Sequence, residues 1–288
     1  MAIRFNIIQN VHSSEEHQII HGDVLTSLRS LESESVDLIF ADPPYNIGKD
    51  FDGLIEEWSE ELFLDWCYEW LDECYRVLKE NGTFYLMNST ENMPFLDIWC
   101  RKKFNIRSRI IWSYDSSGVQ AKKYFGSLYE PILMMTKHKT NYTFNYKDIM
   151  VEAKTGSKRK LIDYRKNPPQ PYNTKKVPGN VWEYPRVRFK MEEYENHPTQ
   201  KPEALLERVI KASSNLGDTV LDPFSGSFTT CAVAKRLGRK SIGIEINEEY
   251  VKIGIRRLGI DSQYTEEELK KERKRKTKNT SKKDRNQT

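Results

Sequence analysis

Val36-Asp-Leu-Ile-Phe-Ala-Asp-Pro-Pro-Tyr45 reads as a buried hydrophobic strand running straight into a rigid turn. The strand is Val36–Ala41, and the turn is Asp42-Pro43-Pro44-Tyr45. The two prolines stiffen the backbone and remove two N–H donors. What remains is rich in acceptors: the Asp42 carboxylate and the Pro43 carbonyl, followed by the aromatic face of Tyr45. Open α/β sheets bind ligands beyond the carboxyl ends of their strands. An amino group on a flat heteroaromatic ring suits this turn, because the acceptors take its two hydrogens while Tyr45 stacks on the ring. A Pro-Pro pair alone is explained as a rigid turn. The full tetrapeptide at a strand tip is explained better by a ligand.

Outward from that strand, the chain alternates strands and helices. Gln18–Asp23 reads as a short strand ending in an acid, and Val24–Leu31 as a helix. Glu60–Lys79 carries apolar residues at helical spacing, with Asn81-Gly82 as its stop. Thr83–Met87 is the next strand, and Asn92–Phe104 a helix with Pro94 near its start. Ile106–Trp112 and Pro131–Thr136 are two further strands. The pattern resumes with a helix over Lys201–Ser214, a strand over Thr219–Asp222 and a helix to Leu237. A strand over Lys240–Glu245 and a helix over Glu248–Leu258 complete it. Such alternation predicts a parallel-rich α/β sheet.

The second half carries its own strand-tip site. A strand ends at Asp222, the turn Pro223-Phe-Ser-Gly-Ser227 follows, and the next strand ends at Glu245, 19 residues after Gly226. This layout suits an adenosine cofactor: the turn admits the ligand, and the acid at the next strand tip takes both ribose hydroxyls. G-x-G-x-x-G is absent, so a pyrophosphate has no cradle. A nucleoside cofactor without phosphates fits better than a dinucleotide.

The 288 residues are 38% hydrophobic and 31% charged, with a net charge of +4. No apolar run reaches the ~20 residues of a membrane span, and the N-terminus has no secretory pattern. Cys67, Cys74, Cys100 and Cys231 show neither a C-x-x-C pair nor zinc spacing. Disulfide-rich and zinc-finger classes are excluded, no metal is expected, and a reduced cytoplasmic protein is the expectation. The charge is uneven. Lys137–Lys190 carries a local +10 and Lys270–Arg285 a local +8, on an otherwise acidic body. Two basic segments point to an anionic partner, nucleic acid being the commonest. Residues 137–196 are also aromatic and proline-rich with little periodicity, and are read as an inserted recognition module. Beyond about Thr265 the chain is charged and of low complexity, with a helix conceivable over Glu266–Lys276 before a disordered end.

Asp42-Pro-Pro-Tyr45 and Asp222-Pro-Phe-Ser-Gly-Ser227 resemble the catalytic and cofactor motifs of the DNA amino-methyltransferases. The catalytic motif precedes the cofactor motif, as in the β group of that family. His197-Pro-Thr-Gln-Lys-Pro202 and His21-Gly22-Asp23 match the same group. The whole chain is most similar to the enterobacterial adenine-specific members. One departure is Phe228, where the family usually has a second glycine.

The resemblance implies a Rossmann-like methyltransferase sheet in circularly permuted order, mostly parallel with one reversed strand. Residues 1–136 would form the catalytic half, 137–196 the target-recognition region, 197–264 the cofactor half and 265–288 a basic tail. It implies S-adenosylmethionine as cofactor. Glu245 would bind the ribose hydroxyls and Asp23 the adenine amino group, with Asp222, Phe224 and Gly226 lining the pocket. His197 and Lys201 would meet the methionine carboxylate. Asp42, Pro43, Pro44 and Tyr45 would act on the exocyclic N6 of an adenine flipped out of duplex DNA. Family members acting on cytosine N4 usually have Ser in place of Asp42, which favours adenine over cytosine. Cytosine C5 chemistry needs a nucleophilic Cys, usually after Pro, and no cysteine here follows one. Methylation of RNA or of protein amide nitrogen goes more often with Asn-Pro-Pro-Tyr. A non-catalytic DNA-binding protein is the remaining alternative. The resemblance admits a homodimer and a cognate restriction endonuclease, and the sequence decides neither.

Overall fold

A computed structural model describes residues 8–48, 50–51, 54–55, 58–116, 122–153 and 161–270. In chain order, its first half contains β1 (Ile8–Ser13), β2 (His17–Gly22), α1 (Val24–Ser30) and β3 (Val36–Ala41), then the two-residue strands β4 (Asp50–Phe51) and β5 (Leu54–Ile55). There follow α2 (Glu60–Val77), β6 (Leu78–Met87), α3 (Met93–Cys100), β7 (Asn105–Ser113) and β8 (Tyr129–Thr136). Next come the short strands β9 (Val151–Glu152), β10 (Ile162–Asp163), β11 (Gln170–Pro171), β12 (Lys175–Lys176) and β13 (Val181–Glu183). The chain then forms α4 (Glu203–Ser213), β14 (Thr219–Asp222), α5 (Thr229–Arg236), β15 (Lys240–Glu245) and α6 (Glu248–Leu258).

Nine strands make one sheet in the order β1-β2-β15-β14-β3-β6-β8-β7-β13. From β2 to β6 every neighbour is parallel. β8 runs antiparallel to both β6 and β7, the reversed strand the sequence resemblance implied. A second reversal was not expected: β1 pairs antiparallel with β2 and forms one edge. Alternation along β3 sends Ile39 and Ala41 into one core with Trp70 and Leu71 of α2. Leu38 and Phe40 face the other core, with Leu205 and Val209 of α4. Helices therefore cover both faces, and the strand ends between them stay accessible.

Several boundaries differ from the sequence reading. Helix α2 is capped by Ser59, whose Oγ accepts from Leu62 N at 3.4 Å, and it buries Phe63, Cys67, Trp70, Leu71, Cys74 and Val77. It stops at Val77, and Asn81-Gly82 lies within β6. Val36 pairs with Leu78, but Leu38 pairs with Thr83, so these residues form an irregularity in the strand. A Cβ on Gly82 would sit 2.6 Å from Leu78 Cδ1, so a larger residue would collide there. Helix α4 begins at Glu203 rather than Lys201, because Pro202 is its extended N-cap. Glu266–Leu269 forms turns, and the remainder of the helix considered there lies outside the described residues, as does the basic tail after Lys270.

The basic segment 137–196 is not separate from the sheet. Its β13 pairs parallel with β7 as the ninth strand. Trp182 is buried, and the Arg208 guanidinium of α4 lies 5.1 Å from its ring centroid. The other short strands there form two antiparallel pairs, β10–β11 and β9–β12.

Phe228 explains its own departure from the glycine pattern. Its backbone is left-handed, with φ 56°, a region that favours glycine. Its ring is fully buried with Ile19, Cys231, Val251 and Ile255. Gly243 and Gly254 give it room: a Cβ on either would come within 2.6 Å and 2.7 Å of the ring, respectively. Phe228→Gly would relieve about 1 kcal/mol of backbone strain but leave a cavity costing about 3–5 kcal/mol. The expected net loss, roughly 2–4 kcal/mol, is measurable as a lower denaturant midpoint at unchanged slope.

Candidate active site

A cavity of about 450 Å³ opens at the carboxyl edge of the sheet, where the ends of β2, β3, β14 and β15 converge. Volumes of this size suit small-molecule ligands. Asp23, Asp42, Pro43, Pro44 and Tyr45 line it from the first half of the chain. His197, Lys201, Asp222, Phe224, Gly226 and Glu245 line it from the second. Two motifs separated by about 180 residues thus share one space because β3 and β14 are neighbours in the sheet.

On the β3 side lies a buried polar network. The Tyr45 hydroxyl is 2.6 Å from Asp42 Oδ1 and 3.0 Å from Glu130 Oε2. Lys201 Nζ pairs with Asp42 Oδ2, donates to Thr199 O at 3.2 Å, and lies 3.8 Å from Glu130 Oε2. Tyr114 donates to the other Glu130 oxygen at 3.3 Å. Burial raises the Asp42 carboxyl above the usual carboxylate range, with Lys201 opposing and Glu130 adding to the rise. Burial also opposes the Lys201 charge, but Asp42 and Glu130 outweigh it and keep the ammonium above its ordinary pKa. Burial first, then the two carboxylates, push the Tyr45 phenol well up. The loop itself is held from behind: Asn92 donates to Tyr45 O at 2.7 Å. Asn46 brackets Trp58, donating to its carbonyl at 2.8 Å and accepting from its N–H at 3.0 Å.

The β14–β15 side is built differently. Glu245 accepts backbone N–H bonds from Gly226 at 2.8 Å, Ile246 at 2.9 Å and Asn247 at 2.8 Å. Burial pushes its carboxyl up to about 7 against those three donors. Asp222 accepts from Phe224 N at 3.1 Å, and burial likewise raises it to about 7. Gly226 has φ +47°, and a Cβ there would sit 2.7 Å from His197 Nε2. Glycine is thus required twice over, for conformation and for the approach of His197. The His197 ring lies edge-on to Tyr250, 4.5 Å between centroids. Asp23 caps α1, its Oδ1 accepting from Thr26 N at 3.0 Å, while it faces the cavity. Phe224 packs edge-on against Trp70 and Trp66 of α2, at 5.0 and 5.7 Å.

Sequence reasoning missed Glu130, Tyr114, Trp66 and Arg186, all of which bear on this site. Glu130 stands one residue before the expected strand Pro131–Thr136. Only the reversal of β8 brings its first residues to the carboxyl edge of the parallel strands. An acid heading an apolar strand was the available signal, and it needed that reversal to be read. Lys201 was expected on an anionic end of the cofactor, and here it sits on Asp42.

The model of the family N6_N4_Mtase, described as DNA methylase, matches residues 36–256. The chain is 70% identical over 272 residues to DNA adenine methyltransferase YhdJ of Escherichia coli (strain K12), covering 94% of this chain and 92% of that protein. It is 39% identical over 252 residues to Type II methyltransferase M.HpaI of Haemophilus parainfluenzae, covering 86% and 76%. Among solved structures, the PvuII DNA methyltransferase (cytosine-N4-specific) superposes with a TM-score of 0.65 at 19% identity, over 91% of this chain and 94% of that one. The M1.HpyAVI–SAM complex gives a TM-score of 0.56 at 24% identity, over 84% and 99%.

Proposed function

The chain belongs to the N6_N4_Mtase family of DNA methylases, and we propose on that premise that it methylates the exocyclic N6 of adenine in duplex DNA at the Asp42–Tyr45 turn. The observation that carries this reading is the acceptor-rich turn in the same cavity as the Glu245 strand tip. The 70% identity to an adenine methyltransferase supports adenine rather than cytosine N4.

The cavity fits S-adenosylmethionine. Its volume, the Gly226 approach that a Cβ would block, and carboxylates at the tips of β14 and β15 suit a nucleoside without phosphates. Glu245 would take the ribose hydroxyls, Asp23 the adenine amino group, and Phe224 one face of the ring. Asp222 supports the turn through Phe224 N. His197 would meet the methionine end. Bound there, the cofactor supplies an electrophilic methyl carbon.

The remaining chemistry belongs to the chain. An exocyclic amine is a weak nucleophile because its lone pair is conjugated with the ring. Asp42 and the Pro43 carbonyl would accept its two hydrogens and localise the lone pair toward tetrahedral geometry. Tyr45 would stack on the base and offset the stacking lost on flipping. Lys201 orients Asp42 and balances its charge. Residues 137–196 would grip phosphates through Lys and Arg and reach base edges with polar and aromatic side chains. All four cysteines are buried free thiols, and no helix among the described residues is long and apolar enough to cross a membrane. Both facts support a cytoplasmic enzyme. A homodimer and a restriction partner are compatible with the family.

The test is transfer of labelled methyl from S-adenosylmethionine to unmethylated duplex DNA and to RNA, with the modified base identified and its sequence context read. N6-methyladenine in DNA at one recurrent sequence is expected. Label in cytosine, in RNA or in neither would overturn the reading. Exchanging residues 137–196 for those of a relative should change or abolish the methylated sequence. An unchanged target would place recognition elsewhere.

A further inference from the structure

Between the Tyr45 hydroxyl and the two carboxylates beside it lies one hydrogen for two contacts. A phenol carries a single hydrogen, yet its oxygen lies 2.6 Å from Asp42 Oδ1 and 3.0 Å from Glu130 Oε2. Both separations are hydrogen-bond lengths. With both carboxylates ionised, only one of the two can contain a proton. One added proton would complete both without moving a heavy atom. The other acids at this edge differ: Asp222 and Glu245 take backbone N–H donors. Glu130 faces instead two phenols and an ammonium.

Transfer of a methyl group to an amine produces exactly one surplus proton. We propose that Glu130, bridged to Asp42 by the Tyr45 hydroxyl, receives the proton that the methylated adenine amine gives up. This inference rests on the adenine reading above. In the step, an N6–H bond breaks and its electron pair stays on nitrogen, while the proton binds the Asp42 carboxylate. The Tyr45 hydroxyl turns to donate to Glu130 Oε2 and accepts from the new Asp42 hydroxyl. Passage of both protons along that line restores Asp42 and Tyr45 and leaves Glu130 as the neutral acid. Its side chain is 16% exposed, enough for water at the cavity mouth to take the proton. Glu130 thus acts through Tyr45 and not on the base. It also adds a second negative charge beside a nitrogen that becomes cationic, with Lys201 balancing one of the two carboxylates.

Among the described residues, the charged and titratable groups facing Glu130 are few. Asp42 and Tyr45 come from the turn after β3, Tyr114 from the end of β7, and Lys201 from the segment before α4. Arg186, beyond β13, lies 5.1 Å from the Tyr114 ring centroid. The sign of a pH effect follows. Methyl transfer needs Asp42 ionised, so the rate falls as pH drops through the Asp42 pKa. The Glu130 charge contributes to raising that pKa. Its removal moves the acid limb to lower pH.

Two variants test the inference. Glu130→Gln should lower the single-turnover rate about tenfold or more and shift the acid limb down by about one pH unit. S-adenosylmethionine affinity by calorimetry should be unchanged, and Glu130→Asp should restore most of the rate. An unmoved acid limb, or a rate loss matched by lost cofactor affinity, would make Glu130 merely structural and overturn the proposal. A wild-type protein that labels no adenine would overturn the function itself, a result distinct from active wild type with unaffected Glu130→Gln.

Discussion

Asp42→Ala is expected to reduce methyl transfer by about a thousandfold or more while S-adenosylmethionine still binds. The alanine methyl cannot accept a hydrogen bond, so the lone pair of the target amine stays conjugated with its ring. The Pro43 carbonyl remains, but a single acceptor cannot hold both amine hydrogens. Cofactor affinity should be largely preserved, because Glu245 and Phe224 lie on other strand tips. The substitution has a structural cost. Lys201 loses its ion-pair partner and keeps Glu130 at 3.8 Å. A buried charge deprived of its partner costs about 3–5 kcal/mol, an upper bound here because Glu130 remains. Melting and cofactor titration must therefore accompany the rate measurement. A folded, cofactor-binding Asp42→Ala protein that keeps more than about 1% of the rate would remove Asp42 from the chemistry.

How much of this was legible in the sequence follows from where each interaction lies along the chain. Val36–Ala41, Thr219–Asp222 and Lys240–Glu245 were readable residue for residue, because a short, mainly apolar stretch that ends at or just before an acid is a local pattern. The turns after them were readable too, since Pro43-Pro44 stiffens its own backbone and Gly226 admits the positive φ its turn adopts. β1 was not, because an exposed edge strand has one neighbour and a weak apolar pattern; Val11 is 49% exposed. β13 was hidden for a related reason. Three residues, Val181–Glu183, gain their strand geometry from β7 and from Trp182 packed against Arg208, partners 70 and 26 residues away. The site shows the same division. Asp42 and Tyr45 announce themselves within one tetrapeptide. Glu130 is an ordinary acid until the antiparallel course of β8 places it beside them. Phe228 is the converse case. Locally it breaks a glycine pattern, and only the glycines at 243 and 254 show that its ring fills the buried space beside Ile19, Val251 and Ile255.

Glu245→Ala is expected to weaken S-adenosylmethionine binding by about a hundredfold or more. Each hydrogen bond from a hydroxyl to a carboxylate contributes about 1.5–3 kcal/mol, and two ribose hydroxyls face one carboxylate in the proposed pose. The same side chain also accepts three backbone N–H bonds that join the Gly226 turn to the end of β15. Alanine therefore removes the ligand contact and the brace that shapes the turn together. Glu245→Gln separates the two in part. Its amide oxygen can still accept from Ile246 and Asn247, but its amide nitrogen cannot accept from Gly226, and the charge is gone. The charge has a pH signature because burial has pushed the Glu245 carboxyl up to about 7. Ribose hydroxyls donate best to the ionised form, so binding favours loss of the proton. Wild-type affinity should then fall as pH drops from 8 to 6, and binding near pH 7 should release protons. Glu245→Gln should bind more weakly at pH 8 and lose most of that pH dependence. Calorimetry in buffers of different ionisation enthalpy measures both the affinity and the proton release. An unchanged affinity in Glu245→Ala would place the ribose elsewhere in the cavity. A pH dependence that persists in Glu245→Gln would assign the titration to Asp222, whose carboxyl is raised to about 7 in the same cavity.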